Sequence, residues 1–162
     1  MRAVVATGSA VVALLGAVGC GQGGAGKGVA RDRPSSPSSA PRTVFLSSSA
    51  RVVPRAHEVL RDRAQVERFA GRFDARDASA AEGIRAAGRA ADFSRSVLVG
   101  WTATTGCGAA TSARLEVAGE RLALRVVTPS AARECFAAYR VTAVFEVARE
   151  RVPAEPVFAD GS

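Results

Sequence analysis

Histidine and cysteine are scarce in this chain. The 162 residues include one histidine, His57, and three cysteines. Zinc sites usually draw on several His or Cys ligands, and general-base chemistry most often uses His. We therefore expect a protein that is not an enzyme and that holds no metal and no cofactor. The alternative is a hydrolase of the cell envelope that uses His57 as its base.

A membrane-spanning run of apolar residues is also lacking. The longest apolar stretch, Val11 to Val18, follows a single charge at Arg2 and precedes small residues. A membrane span needs about 20 residues, whereas a short positive start, a short apolar core and small residues are typical of a secretory signal. The sequence predicts a signal peptide over residues 1–19.

The residues at the end of this segment carry a resemblance. Ala17-Val18-Gly19-Cys20 resembles the lipobox of bacterial lipoproteins, although Ala17 stands where Leu is more usual. The resemblance implies that Cys20 carries diacylglycerol with acyl chains such as palmitate. It also implies an extracytoplasmic protein whose partner is the membrane, because the lipid on Cys20 would anchor it to the outer face of the cell membrane. More than one acyl chain holds a protein stably at a bilayer.

Composition divides the rest of the chain in two. Residues 20–42 are rich in Gly, Ser and Pro and predict a disordered, lipidated tether. Residues 43–162 have the usual length of one domain. We expect a single domain there.

The positive charge is spread over all three segments. The formal charge is +7, of which the domain carries +3, and its Arg and acidic residues alternate, as in Arg61-Asp62-Arg63. Nucleic-acid binding favours a clustered basic face, so we expect no nucleic-acid partner. The single lysine, Lys27, among many Arg, Ala and Gly residues is typical of a high-GC actinobacterium.

Two cysteines remain once Cys20 is assigned to lipid. Cys107 and Cys135 form an even pair in an exported domain, where disulfides persist. We predict that they are bonded, which would stabilise the fold by about 3 to 4 kcal/mol in the chain-entropy model.

Hydrophobic periodicity predicts an α+β domain, with a small antiparallel sheet or sandwich-like arrangement and two short helices. The first helix is capped by Asp62 with Gln65, and the second by Ser79 with Glu82. The strands are expected around Val44–Leu46, Glu58–Leu60, Ser96–Thr102, Ala113–Val117, Leu122–Val126, Tyr139–Val147 and Val157–Phe158, with a hairpin through Ala118-Gly119-Glu120.

The order of these motifs carries a second resemblance. Asp92-Phe93-Ser94, the strand Val97-Leu98-Val99, the turn Thr104-Thr105-Gly106-Cys107 and a last strand entered through Tyr139 are together similar to the C-terminal domain of PrcB-type proteins. These are small exported domains named for a protease-associated protein. Cys107 departs from the Gly-Tyr pair that is usual in that turn. Thr104-Thr105-Gly106 also resembles a loop of chagasin-like cysteine-protease inhibitors, without the flanking Asn-Pro and Tyr.

The resemblance implies a non-catalytic binding or accessory domain, associated with a protease or the envelope, with an envelope protein as partner. The segment from Thr102 to Ser112 is the candidate contact loop, because loops on a rigid scaffold commonly carry binding. The candidate binding residues are Trp101, Thr104, Thr105 and Gly106. The other interpretation places Trp101 in the core, where Trp is most often found.

Overall fold

The computed structural model describes residues 40–129 and 137–159. The proposed signal peptide, Cys20, nearly all of the tether and Cys135 lie outside them.

Seven strands form two sheets in the described part of the chain. A four-stranded antiparallel sheet has the order β1-β6-β3-β2, and a three-stranded sheet has the order β4-β5-β7. The strands are β1 Arg42–Ser49, β2 His57–Leu60, β3 Ser96–Gly106, β4 Ser112–Ala118, β5 Arg121–Val127, β6 Tyr139–Ala148 and β7 Val157–Ala159. β7 runs parallel to β5, so the smaller sheet is mixed. A single turn of 3-10 helix, Arg149–Arg151, follows β6.

Two α-helices lie between β2 and β3. Helix α1 spans Arg63–Gly71 and begins as the sequence predicts, because the Asp62 side chain accepts a hydrogen bond from the Gln65 backbone N–H. Helix α2 spans Ala78–Ala90. Its cap is Asp77, which accepts from the Ala80 N–H at 3.1 Å, and the predicted cap Ser79 is wrong. The α+β class is confirmed, with both helices and both sheets in one domain.

The described domain has three layers, with the larger sheet in the middle. One face of that sheet, which we call the helix-side face, packs its apolar residues against α1 and α2. The other face packs against the smaller sheet. β3 shows the division, because Leu98 contacts the helices while Val97 and Val99 point to the smaller sheet. A strand buried on both faces reads as a continuous apolar run, as Val97-Leu98-Val99 does.

Glycine permits two close approaches in the helix layer. A Cβ on Gly100 of β3 would lie 2.6 Å from the Phe69 ring, and a Cβ on Gly88 of α2 would lie 2.6 Å from Val66. Phe69 and Val66 both belong to α1 and are buried. These two glycines therefore set how closely α1 approaches the sheet and α2.

Among residues 40–129 and 137–159, no helix combines the length and apolar character that crossing a membrane requires.

Candidate binding surface

The sheet has two distinct ends. β1 begins at Arg42, which pairs with Glu146 near the end of β6, and it finishes at Ser49, which pairs with Arg140. We call the first the entry end, because the chain enters the domain there, and the second the far end. β3 reaches the far end at Thr104, which pairs with Arg140 from the other side. The length of β1, 8 residues, separates the two ends by about 25 Å.

The candidate contact loop is shorter than the sequence indicated. β3 continues to Gly106 and pairs with β6 along its length, so Thr102 to Gly106 are strand residues and only Cys107 to Thr111 form the loop. Gly106 has a φ of 75°, a left-handed conformation that glycine adopts without strain. The far end therefore presents the end of a long strand as well as a loop.

Three neighbouring strands hold this loop in place. The Thr105 hydroxyl donates to the Gly108 carbonyl at 2.8 Å and lies 3.4 Å from the Tyr139 carbonyl of β6. The Ala110 N–H donates to the Ser48 hydroxyl of β1 at 2.9 Å. Thr111 donates its N–H to Val127 of β5, also at 2.9 Å. The loop is therefore fixed by hydrogen bonds to β1, β3 and β5.

The predicted binding residues have different environments. Thr104 and Gly106 are exposed, and Thr105 is half-buried with its hydroxyl engaged in the turn. Trp101 is only 3% exposed and packs in the core, which corrects its assignment to the contact surface. Its side chain points to the smaller sheet, where it contacts Phe158 at 5.2 Å between ring centroids. Thr104 is thus the accessible side chain of the predicted set.

Among residues 40–129 and 137–159, no strand pairs with the outer edge of β3 at Thr104. The Thr102 N–H donates to the Ala56 carbonyl at 2.8 Å, on the side of β3 occupied by β2. Backbone groups of alternate residues point to the same side of a strand, so the Thr104 N–H and C=O face that side too. Pro54 stands two residues before Ala56 and has no N–H to donate. Its carbonyl instead accepts from the Thr102 hydroxyl at 2.9 Å.

Two rows of polar residues cross the helix-side face towards the far end. Directly paired residues on neighbouring strands share a face. The rows are Ser47, Thr142 and Thr102, and then Ser49, Arg140 and Thr104. No local sequence signal marks these rows, because their members come from three separate strands.

Arg140 is the only charged member of these rows. It is half-buried, its Nη1 lies 3.4 Å from the Val53 carbonyl, and its Nε is buried without a hydrogen-bond partner. Within the described ranges, no Asp or Glu forms an ion pair with it. A guanidinium that retains free donors is suited to bind an anion.

His57 is exposed at the start of β2, on the opposite face of the sheet. Its ring lies 4.6 Å from that of Phe158 and 5.6 Å from that of Trp101, between centroids. Within the part of the chain that the structure describes, the His57 side chain forms these ring contacts and no hydrogen bond or ion pair. A catalytic base requires hydrogen bonding to a nucleophile and to an orienting group, so this geometry adds no support to the hydrolase alternative.

Several acidic residues that could act as catalytic carboxylates in a hydrolase have structural partners instead. Asp74 accepts from Arg85 at 2.8 Å, and the hydrogen bond from Arg85 lowers the pKa of Asp74. Asp77 caps α2. Glu146 accepts from the Ser96 hydroxyl at 3.0 Å and from Arg42. Each of these acidic residues therefore has a structural role at the end of a helix or of a strand.

An open cleft of about 1100 Å³ lies at the entry end. Its charged residues are matched in sign: Arg42, Arg95 and Arg149 against Asp92, Glu146 and Glu150. The Ser94 hydroxyl and Arg95 donate to Asp92 at 2.6 and 2.8 Å and lower its pKa to about 2. Arg149 donates to the Phe93 carbonyl. These six charges sum to zero, and two of the pairs, Arg42 with Glu146 and Arg95 with Asp92, are ion pairs.

Cys107 is half-buried in the loop that follows β3. Its predicted partner, Cys135, lies outside the described residues, so the disulfide remains a prediction. The predicted lipidation of Cys20 lies outside them as well.

Comparison with protein-family models, with curated proteins and with solved structures gave no match to this chain. The similarity to PrcB-type and lipoprotein sequences therefore stays a prediction from the motifs themselves.

Proposed function

We propose that this chain is a lipid-tethered extracytoplasmic protein whose domain binds an envelope protein through its far end, without catalysing a reaction. The observation that carries the proposal is the position of that end, about 25 Å along β1 from the point where the tether joins at Arg42. A partner bound at the far end would therefore not be obstructed by the residues through which the tether joins the domain.

The far end supports this function by its rigidity and its open edge. The loop from Cys107 to Thr111 is bonded to three strands, so little ordering entropy is lost when a partner contacts it. Thr104 offers an exposed side chain and, within the described part of the chain, backbone groups that no neighbouring strand pairs with. Extended segments of partner proteins commonly add to such strand edges.

The anchor is proposed from the signal-like segment and the residues up to Cys20. Intact-mass analysis of membrane fractions should find a chain that begins at Cys20 with added acyl mass. Cys20→Ser should release the protein from the membrane. A mature wild-type chain that is unlipidated and found in the medium would contradict the anchor while leaving the binding proposal open.

Site-specific photo-cross-linking tests the binding surface. A photoreactive residue at Thr104 should give a discrete adduct with an envelope protein in intact cells, whereas one at Ala86 should not. Ala86 is the matched control because it is exposed on α2. An excess of the unmodified domain should compete for the adduct, and the Thr104→Arg variant should not.

Equal adducts from both positions, or none from Thr104, would refute binding at the far end. His57→Ala should leave the adduct and the cellular role unchanged, because His57 is on the other face of the sheet. Loss of the cellular role in a folded His57→Ala protein would favour the hydrolase instead. Thr105 is unsuitable for this test because its hydroxyl holds the loop.

A further inference from the structure

We propose that Arg140 is a carboxylate-binding residue that recognises an acidic side chain on an extended segment of the partner. This inference rests on the proposed function, since it places a ligand chemistry on the far end. It begins from the guanidinium, which lies half-buried with a buried Nε that donates no hydrogen bond. Nε is too enclosed for a ligand to reach, so an incoming carboxylate would bind the Nη groups of this half-buried guanidinium.

The neighbours of Arg140 complete a polar site. Thr104 and Ser49 pair with it from the two flanking strands and share its face. Thr104 and Arg140 form a pair whose backbone groups point away from each other, which brings their Cα atoms to about 4.5 Å. A carboxylate that accepts from Arg140 would therefore lie within reach of a hydroxyl donor as well.

Charge around the site favours an anion. Residues 47–56, which lead from the end of β1 to β2, contain Arg51 and Arg55 and no acidic residue. The Arg51 backbone N–H donates to the Ser49 hydroxyl at 3.0 Å, which places the backbone of this second arginine beside the row that contains Arg140, and its guanidinium donates to the Arg76 carbonyl at 3.2 Å. An approaching carboxylate thus meets positive charge that no acidic residue of this segment offsets.

The open edge selects a peptide as the source of the carboxylate. The Thr104 backbone N–H and C=O point outwards next to Arg140, so an extended chain that pairs with them would carry its side chains over the same face. Anionic lipid headgroups carry no such backbone donors and acceptors.

The test is an NMR titration of the full chain carrying Cys20→Ser. The probe is blocked glutamate, N-acetylglutamate with an amidated α-carboxyl group, and the control compound is blocked glutamine. We expect blocked glutamate to shift the Arg140 Nε–H and Thr104 amide signals saturably, and blocked glutamine to leave them unchanged. Equal effects of the two compounds, or no saturable shift, would overturn the assignment.

Two substitutions test whether Arg140 itself is responsible. Arg140→Gln should abolish the shift at Thr104, and Arg114→Gln, an exposed change on β4, should retain it. Arg140→Lys keeps the charge and removes the forked donor, so it should weaken binding by about tenfold. Because this variant should still fold, the loss of affinity would come from the missing guanidinium. An unchanged affinity in a folded Arg140→Lys protein would refute recognition by the fork.

Two further ligands distinguish the source of the anion. Inorganic phosphate that binds more tightly than blocked glutamate would assign the site to phosphate. Arg140-dependent binding to phosphatidylglycerol vesicles would assign it to a lipid surface, and either result would overturn the carboxylate proposal. If Thr104 cross-links to a partner and Arg140→Gln leaves that adduct intact, only the carboxylate inference fails and the proposed function stands.

Discussion

Gly100→Ala should destabilise the domain strongly although it adds a single methyl group. The added Cβ would lie 2.6 Å from two carbons of the Phe69 ring, where about 3.4 Å is the shortest ordinary contact. The ring would have to move by about 0.8 Å, the difference between those two distances. Phe69 is completely buried, with Phe73 at 5.4 Å between ring centroids. Overpacking of this kind typically costs about 1 to 3 kcal/mol.

Urea unfolding of the full chain carrying Cys20→Ser measures this cost. A loss of about 2 kcal/mol lowers the midpoint by about 1 M at the slopes usual for small domains. Gly71→Ala is the matched control, because that glycine ends α1, is exposed, and would place its Cβ no closer than 3.9 Å to another group. Alanine there should be neutral or stabilising by a few tenths of a kcal/mol, about the gain in helix propensity.

A double-mutant cycle identifies the contact responsible. In a Phe69→Leu background the ring is absent, so Gly100→Ala should cost at least about 1 kcal/mol less than in the wild type. If both backgrounds lose the same stability, the destabilisation comes from the strand backbone and not from the ring. A wild-type midpoint for Gly100→Ala would refute the packing argument itself.

Three further predictions follow from hydrogen bonding, ionisation and covalent structure. Thr102→Val should lower the free energy of unfolding by about 1 to 3 kcal/mol, measured by urea unfolding, because it leaves the buried Ala56 N–H without the hydroxyl that accepts from it at 2.7 Å. Asp92 has a lowered pKa, so its contribution to stability is present above the unfolded value of 3.8 and is lost as the pH falls towards about 2. Asp92→Asn should therefore flatten the dependence of the unfolding free energy on pH across that interval. An unchanged dependence on pH in this variant would contradict the assignment. Non-reducing peptide mapping should recover Cys107 and Cys135 in one cross-linked pair, whereas quantitative thiol labelling of the native protein would disprove the bond.

Local signals in the sequence predicted the helices and the hairpin well. The cap of α1 follows from the side chain of Asp62 three residues before Gln65, a spacing that sequence displays directly. The β4–β5 turn follows from Gly119, which adopts a φ of 57°. The cap of α2 was misassigned because both Asp77 and Ser79 are capping residues, and only the structure shows which carboxylate or hydroxyl meets a free N–H.

Features that depend on several strands were not predictable. The hydroxyl residues at the end of β3 were assigned to a loop, because this stretch lacks the alternation of apolar and polar residues that marks a strand. Pairing with β6 nevertheless keeps them extended to Gly106. The parallel pairing of β7 with β5 leaves no signal in three residues. The row that contains Arg140 needs the registers of both flanking strands before its members can be brought together.

The direction of β1 has a mechanical consequence for a tethered protein. Tension between a membrane anchor and a partner held at the far end would act along the strand axis, from Arg42 towards Thr104. The β1–β6 hydrogen bonds are perpendicular to that axis. The load would therefore act on all of these hydrogen bonds at once, in shear, instead of breaking them one after another. If the protein is anchored as proposed, the edge strand β1 is thus oriented to resist pulling between its first residue and the far end.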